Sequence, residues 1–134
     1  MREIKFEAIY KPTGEHIKPI SINFNDNTLT FFNSETGDND WCYFTIDGSS
    51  GNPILRQYTG LKDKNGREIY EGDIVKVTWR YDSDIGTVKY IRNGFFVSDM
   101  KRHTSIPLGS ISATYEVIGN VYENPELLGD PQWK

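Results

Sequence analysis

Three acidic side chains gather around one tyrosine: Glu68, Glu71 and Asp73 flank Tyr70. Paired carboxylates in a cleft can divide acid and base roles between them when their surroundings push their pKa values apart. A charged turn joining two strands would use the same residues, and it is the simpler reading unless the three converge in a pocket. Nucleophilic catalysis needs a base beside Ser, Thr or Cys. The histidines are His16 and His103, in different segments, and Cys42 lies inside the apolar run Trp41-Cys42-Tyr43-Phe44. There a buried, inert thiol is expected. His103, beside Lys101 and Arg102, reads as a solvated loop residue. Asp38-Asn39-Asp40 and Asp82-Ser83-Asp84 offer oxygens to a hard cation, but neither has the Gly and downstream Glu of a calcium loop. There is no Cys/His set for zinc, and no Gly-rich loop followed by Lys-Ser/Thr for a phosphate. The expectation is a protein without catalytic residues, metal or cofactor.

Binding chemistry is better represented. Net charge is −4, which argues against strong overall affinity for nucleic acid. The charge is uneven: residues 56–103 hold ten Lys/Arg against seven Asp/Glu, between two acidic ends. Arg56, Lys62, Lys64, Arg67, Arg80, Lys89 and Arg92 interleave with Tyr58, Tyr70, Trp79, Tyr81 and Tyr90. Small β-barrels bind single strands by stacking bases on aromatics beside a basic groove. Lys62, Lys64, Arg67, Tyr70, Arg80, Tyr81, Lys89 and Arg92 are therefore the candidate surface for nucleic acid or a protein partner. Trp133, in the polar tail, is a candidate anchor on a neighbouring subunit.

The elements that must position these residues read as strands. Aromatics make up 13% of the 134 residues, a composition that favours strands over helices. The chain is long enough to bury a core without disulfides, and its single cysteine fits a reduced, cytoplasmic setting. The N-terminus lacks the apolar run of a signal peptide, and no stretch is long enough to span a bilayer. Strands are expected at Ile4–Tyr10, Ile17–Phe24, Thr28–Phe32, Trp41–Ile46, Ile74–Trp79, Ile85–Ile91, from Phe95, and at Ile111–Tyr122 with a bulge at Gly119. Ser34–Asp40 reads as loop. Asn65-Gly66 and Gly72 suit tight turns. Asn124-Pro125-Glu126-Leu127-Leu128-Gly129 signals a short helix capped by Asn124, with both leucines packed on a sheet. The prediction is a mainly all-β protein, a small barrel or sandwich of short antiparallel strands with one short C-terminal helix. Residues 1–53 form an N-terminal β lobe, and residues 54–134 a barrel-like region with the helix and tail.

Gln57 to Val75, the block Val117-Ile118-Gly119-Asn120-Val121-Tyr122-Glu123-Asn124-Pro125-Glu126-Leu127-Leu128, and the opening Met1-Arg2-Glu3-Ile4-Lys5-Phe6 together resemble the YopX family of phage and prophage proteins. The resemblance implies a mostly-β fold and expression from a phage or prophage genome in a bacterial host. It carries over no catalytic residue. After Phe6 the chain reads Glu7-Ala8-Ile9-Tyr10, where relatives often have a basic residue and a Trp. The expected function is a non-enzymatic interaction module that forms a homo-oligomer and engages a phage or host protein in the cytoplasm. The alternative is a single-stranded nucleic-acid binder using the basic 56–103 segment.

Overall fold

The computed structural model describes residues 3–129, and the fold is all-β. The chain forms two compact units, one of residues 4–57 and one of residues 58–129 with Glu3. Trp133 lies outside the described residues.

The N-terminal unit contains β1 (Phe6–Tyr10), β2 (Glu15–Ile17), β3 (Ser21–Asn23), β4 (Thr28–Asn33), β5 (Asp38–Tyr43) and the first half of β6 (Ile54–Lys62). β1 pairs with β2 on one side and with β6 on the other. β3, β4 and β5 form a three-stranded meander. The expected strand Ile17–Phe24 is broken in two. Pro19 has no N–H to give a ladder, so the chain leaves β1 before it and joins β4 after it. The expected loop Ser34–Asp40 ends early: Gly37 turns at a φ of +78°, its N–H reaches Asn33 O, and β5 starts at Asp38. Leu29, Phe44, Ile17, Ala8 and Leu55 make this unit's core.

Inside that sheet the chain buries an ion pair. Glu7 and Arg56 face each other across β1 and β6, 8% and 3% exposed. Arg56 Nε and Nη2 both donate to Glu7 Oε2, at 3.0 and 2.8 Å, and His16 Nδ1 lies 3.0 Å from the same oxygen. Arg56 therefore does not belong to the basic surface read from the sequence. It neutralises a carboxylate that β1 places indoors.

The C-terminal unit holds the second half of β6, β7 (Glu68–Tyr70), β8 (Asp73–Thr78), β9 (Ser83–Ile91), β10 (Gly94–Ser98), β11 (Ile106–Pro107) and β12 (Thr114–Asn120). The sheet order is β11-β10-β9-β8-β12. Pro107 sits at its margin, where a missing N–H costs least. Val75, Val77, Val88, Val97 and Val117 line the core, with Trp79 packed against it. The register slips between Val117 and Gly119, the expected bulge. Pro125–Leu128 is a 3-10 turn. Asn124 does not cap it. Its side chain instead accepts the Asn120 N–H at 3.3 Å.

The turn after β6 is held by Asp63, which is 8% exposed. Its Oδ1 accepts the N–H groups of Asn65 and Arg67, both at 2.9 Å, and its Oδ2 accepts the Val117 N–H at 2.9 Å. Lys64 N–H adds a bond to Tyr115 O. Gly72 forms the second tie: its carbonyl accepts the Val121 N–H and its own N–H reaches Val88 O. Its φ is +87°, and a Cβ there would stand 2.9 Å from the Tyr122 ring. Thus the two long blocks that resemble YopX proteins are bonded to each other.

Burial pushes the Asp63 carboxyl up, but the three N–H donors and the Arg67 charge outweigh it and hold it below its ordinary 3.8. Asp63 therefore adds stability that is complete above that pH and fades as pH falls through the lower folded value. Asp63→Ala should lower the unfolding free energy by about 3 kcal/mol near neutrality, because it strands a buried N–H. It should also flatten the acid limb of the stability curve below about pH 4. Urea unfolding at neutral and acid pH measures both.

A second prediction concerns the buried pair. Arg56→Ala should cost about 3–5 kcal/mol by taking the guanidinium from the buried Glu7, whereas Glu7→Leu combined with Arg56→Met should recover most of the loss. Urea unfolding of the two variants decides between them.

Candidate functional site

The carboxylates that prompted a catalytic reading are already engaged. Asp73 is 2% exposed, and its Oδ2 accepts the Tyr70 N–H at 2.7 Å. Glu68 Oε1 accepts the Tyr70 hydroxyl at 3.0 Å. They brace the β7–β8 turn. Cys42 is partly buried, and burial, followed by the nearby charges of Asp40 and Glu15, pushes its thiol up, away from the reactive thiolate.

His103 is not the solvated loop residue expected. Its Nδ1 lies 2.7 Å from Asp84 Oδ2, its Nε2 lies 3.0 Å from Asp82 Oδ2, and its ring stacks on Trp79 at 4.4 Å. Arg102 donates to Asp82 Oδ1 and to the Ser83 carbonyl. The two carboxylates read as oxygens for a cation instead anchor the 100–105 loop to the β8–β9 turn. Burial raises Asp84, and the His103 ring and the Arg102 and Ile85 N–H groups bring it below the ordinary range. Among the described residues no group of three or more His, Cys, Asp or Glu converges as metal ligands.

The proposed basic surface is dispersed. Tyr70 is 6% exposed and packs on Tyr58, so both rings belong to the interior. Lys62, Lys64 and Arg67 are exposed around the β6–β7 turn, and Lys64 approaches Glu116 at 3.5 Å. Arg80 lies over the Tyr81 ring beyond one end of β9. Arg92 lies beyond the other end, and Lys89 pairs with Asp99 at 2.8 Å. β9 is nine residues long, so roughly 25 Å separates the two ends.

A different face is contiguous. Across β4 and β5, Thr30 opposes Trp41, Phe32 opposes Asn39, and Thr28 opposes Tyr43. Strand alternation puts Leu29, Phe31 and Cys42 into the core and Phe32, Trp41 and Tyr43 on the opposite face. These three are 58%, 56% and 53% exposed, and Trp41 meets Tyr43 edge to face at 5.3 Å. The Ser21 and Thr30 hydroxyls, 2.6 Å apart, continue the face toward β3. The sequence reading missed this surface, although its signal was present. The run Trp41-Cys42-Tyr43-Phe44 is apolar at every position, so a strand there must turn alternate aromatics outward.

No helix among the described residues is long and apolar enough to cross a membrane. A family model described as YopX protein matches residues 4–129. The SPbeta prophage-derived uncharacterized protein YopX of Bacillus subtilis (strain 168) is 39% identical over 89 residues, which cover 62% of this chain and 64% of that relative's length. The crystal structure of yopX from Bacillus subtilis aligns over 95% of this chain and 98% of its own, at 27% identity and a TM-score of 0.65. That of EF1440 from Enterococcus faecalis aligns over 96% and 99%, at 25% identity and a TM-score of 0.58. The family model takes in both blocks joined by Asp63 and Gly72 and the aromatic meander before them, and the chain belongs to the YopX family.

Proposed function

We propose that this chain is a non-enzymatic prophage accessory protein that acts in the bacterial cytoplasm by docking another protein. The observation that carries this reading is the outward face of β3–β4–β5, where Phe32, Trp41 and Tyr43 are more than half exposed on adjoining strands. Exposed aromatics in one patch mark interaction surfaces, since tyrosine and tryptophan supply large contact area at low entropic cost. The engagement of Asp73 and Glu68 by Tyr70 supports a binding role over acid–base chemistry. Homo-oligomerisation through the same unit is one form of this reading. Sedimentation of the purified chain tests it.

The rival reading, a single-stranded nucleic-acid binder, draws on the exposure of Tyr81 (87%) and Tyr90 (50%) beside Arg80, Lys89 and Arg92. It requires binding that weakens steeply with salt and is lost on charge reversal at Lys62, Lys64 and Arg67.

The two are separated by affinity purification from the host after prophage induction, with and without nuclease. Trp41→Ala combined with Tyr43→Ala should unfold within about 1 kcal/mol of the parent, since both rings are surface groups. The same variant should lose a protein that the parent retains through nuclease treatment. If the variant retains every such protein, or only nucleic acid is recovered, the docking reading falls.

A further inference from the structure

The charge around the aromatic face specifies the occupant. From Pro19 to Leu55 the chain holds Asp26, Glu35, Asp38, Asp40 and Asp47 and no Lys, Arg or His. This stretch includes all of β3, β4 and β5. The nearest bases in the sequence are Lys18 before it and Arg56 after it, and Arg56 is buried against Glu7. By register Asp38 and Asp40 lie on the other face, with Asn33 and Phe31, and the acids that flank the aromatic face are Asp26 and Asp47 in the turns beside Tyr43. An outward face of exposed indole and phenol rings with two carboxylates at its end suits cations in two ways. Ring faces attract guanidinium and ammonium groups, tryptophan most strongly. Uncompensated carboxylates add longer-range attraction.

The face also continues into a cleft. Beside Tyr43, a shallow cavity of about 610 Å³ is bounded by Asp26, Asp47, Ile46, Ser49 and Ser50. Asp47 accepts the Ser49 N–H and the Thr45 hydroxyl, both at 2.9 Å. The Ser49 hydroxyl, then the Ser49 N–H and the Thr45 hydroxyl, hold its carboxyl down to about 2, so it is ionised near neutral pH. Ile46, 66% exposed, gives one wall an apolar surface against which an aliphatic stem can lie.

We propose that the outward face of β3–β4–β5 docks a cationic segment of a partner protein, with Lys or Arg side chains laid on Trp41 and Tyr43 and reaching the cleft between Asp26 and Asp47. This rests on the docking reading and names its partner's chemistry. Three aromatics at this exposure present roughly 300 Å², the size of a functional patch on a monomer. Phosphate backbones are repelled from this face. A second copy meeting it face to face would bring like charges together.

The test uses the full chain and two probes: an arginine–glycine peptide, and the same peptide with citrulline for arginine, which keeps shape and hydrogen bonding and removes charge. Calorimetric titration should show binding of the arginine peptide and at least tenfold weaker binding of the citrulline peptide. Trp41→Ala/Tyr43→Ala and Asp26→Asn/Asp47→Asn should each weaken the arginine peptide about tenfold. The asparagines can still accept the hydrogen bonds of Ser49, Thr45 and Thr28. The control Glu116→Gln/Glu126→Gln removes the same formal charge from the C-terminal unit and should change affinity less than about twofold. The proposal is overturned if the citrulline peptide binds equally, if the control weakens binding as much, or if the arginine peptide does not bind at low salt. It is also overturned if the parent self-associates and Trp41→Ala/Tyr43→Ala abolishes that association, since a second copy then covers the face. The nuclease-resistant capture judges the docking reading separately: a partner lost from the Trp41/Tyr43 variant but indifferent to Asp26→Asn/Asp47→Asn leaves docking standing and removes the cationic assignment.

Discussion

A carboxylate taken out of water must be repaid with hydrogen bonds, and Asp63 obtains three from the backbone. Two of them close its own turn. The third reaches Val117, 54 residues away in sequence. That bond fixes where the 63–67 turn lies along β12, and Lys64 N–H to Tyr115 O repeats the constraint one step further on. Gly72 then ties the next turn to Val121, so the C-terminal strand is gripped at both ends of its pairing with β8. The bulge between Val117 and Gly119 falls between the two grips. Gly119 leaves room there for Asn124 and Leu127, whose side chains come within 3 Å of where a Cβ would be. The C-terminal turn thus packs where the strand was already bent.

The same need for partners accounts for where the polar residues with the most suggestive spacing are used. Asp63 and Asp73 are spent on turn N–H groups, Glu68 on a tyrosine hydroxyl, and Asp82 and Asp84 on a histidine and an arginine from one loop. A fold with many short strands has many turns, and each turn leaves donors that a nearby carboxylate can satisfy. Acidic residues beside glycines are then the natural material of turns.

The N-terminal unit is built on a different balance. Its buried ion pair of Glu7 with Arg56 lies within the β1–β6 pairing. Its meander has a well-packed inner face and an outer face with aromatics but no cation. A three-stranded meander buries only one face of itself, so the aromatic residues on the other remain available to a partner. Edge strand β5 carries Asp38 and Asp40, and acidic groups at a sheet edge discourage unplanned strand addition.

Much of this was readable from residue types alone. The all-β class followed from aromatic content and short alternating runs, and the turns at Asn65-Gly66 and Gly72 followed from backbone freedom that only small residues supply. The bulge at Gly119 was legible for the same reason. These are local properties, decided within a few residues. What the sequence left open is set by distant partners. Nothing in the run 57–75 says that Asp63 will meet Val117, or that Arg56 will be withdrawn from a basic stripe by Glu7. Nor does it show that Tyr70 is interior while Tyr81, in an equally aromatic and charged stretch, stands in solvent. A charged or aromatic side chain has the same identity in a core and on a surface. Strand pairing chooses between them, because a strand's inner and outer faces exist only once another layer has covered one of them.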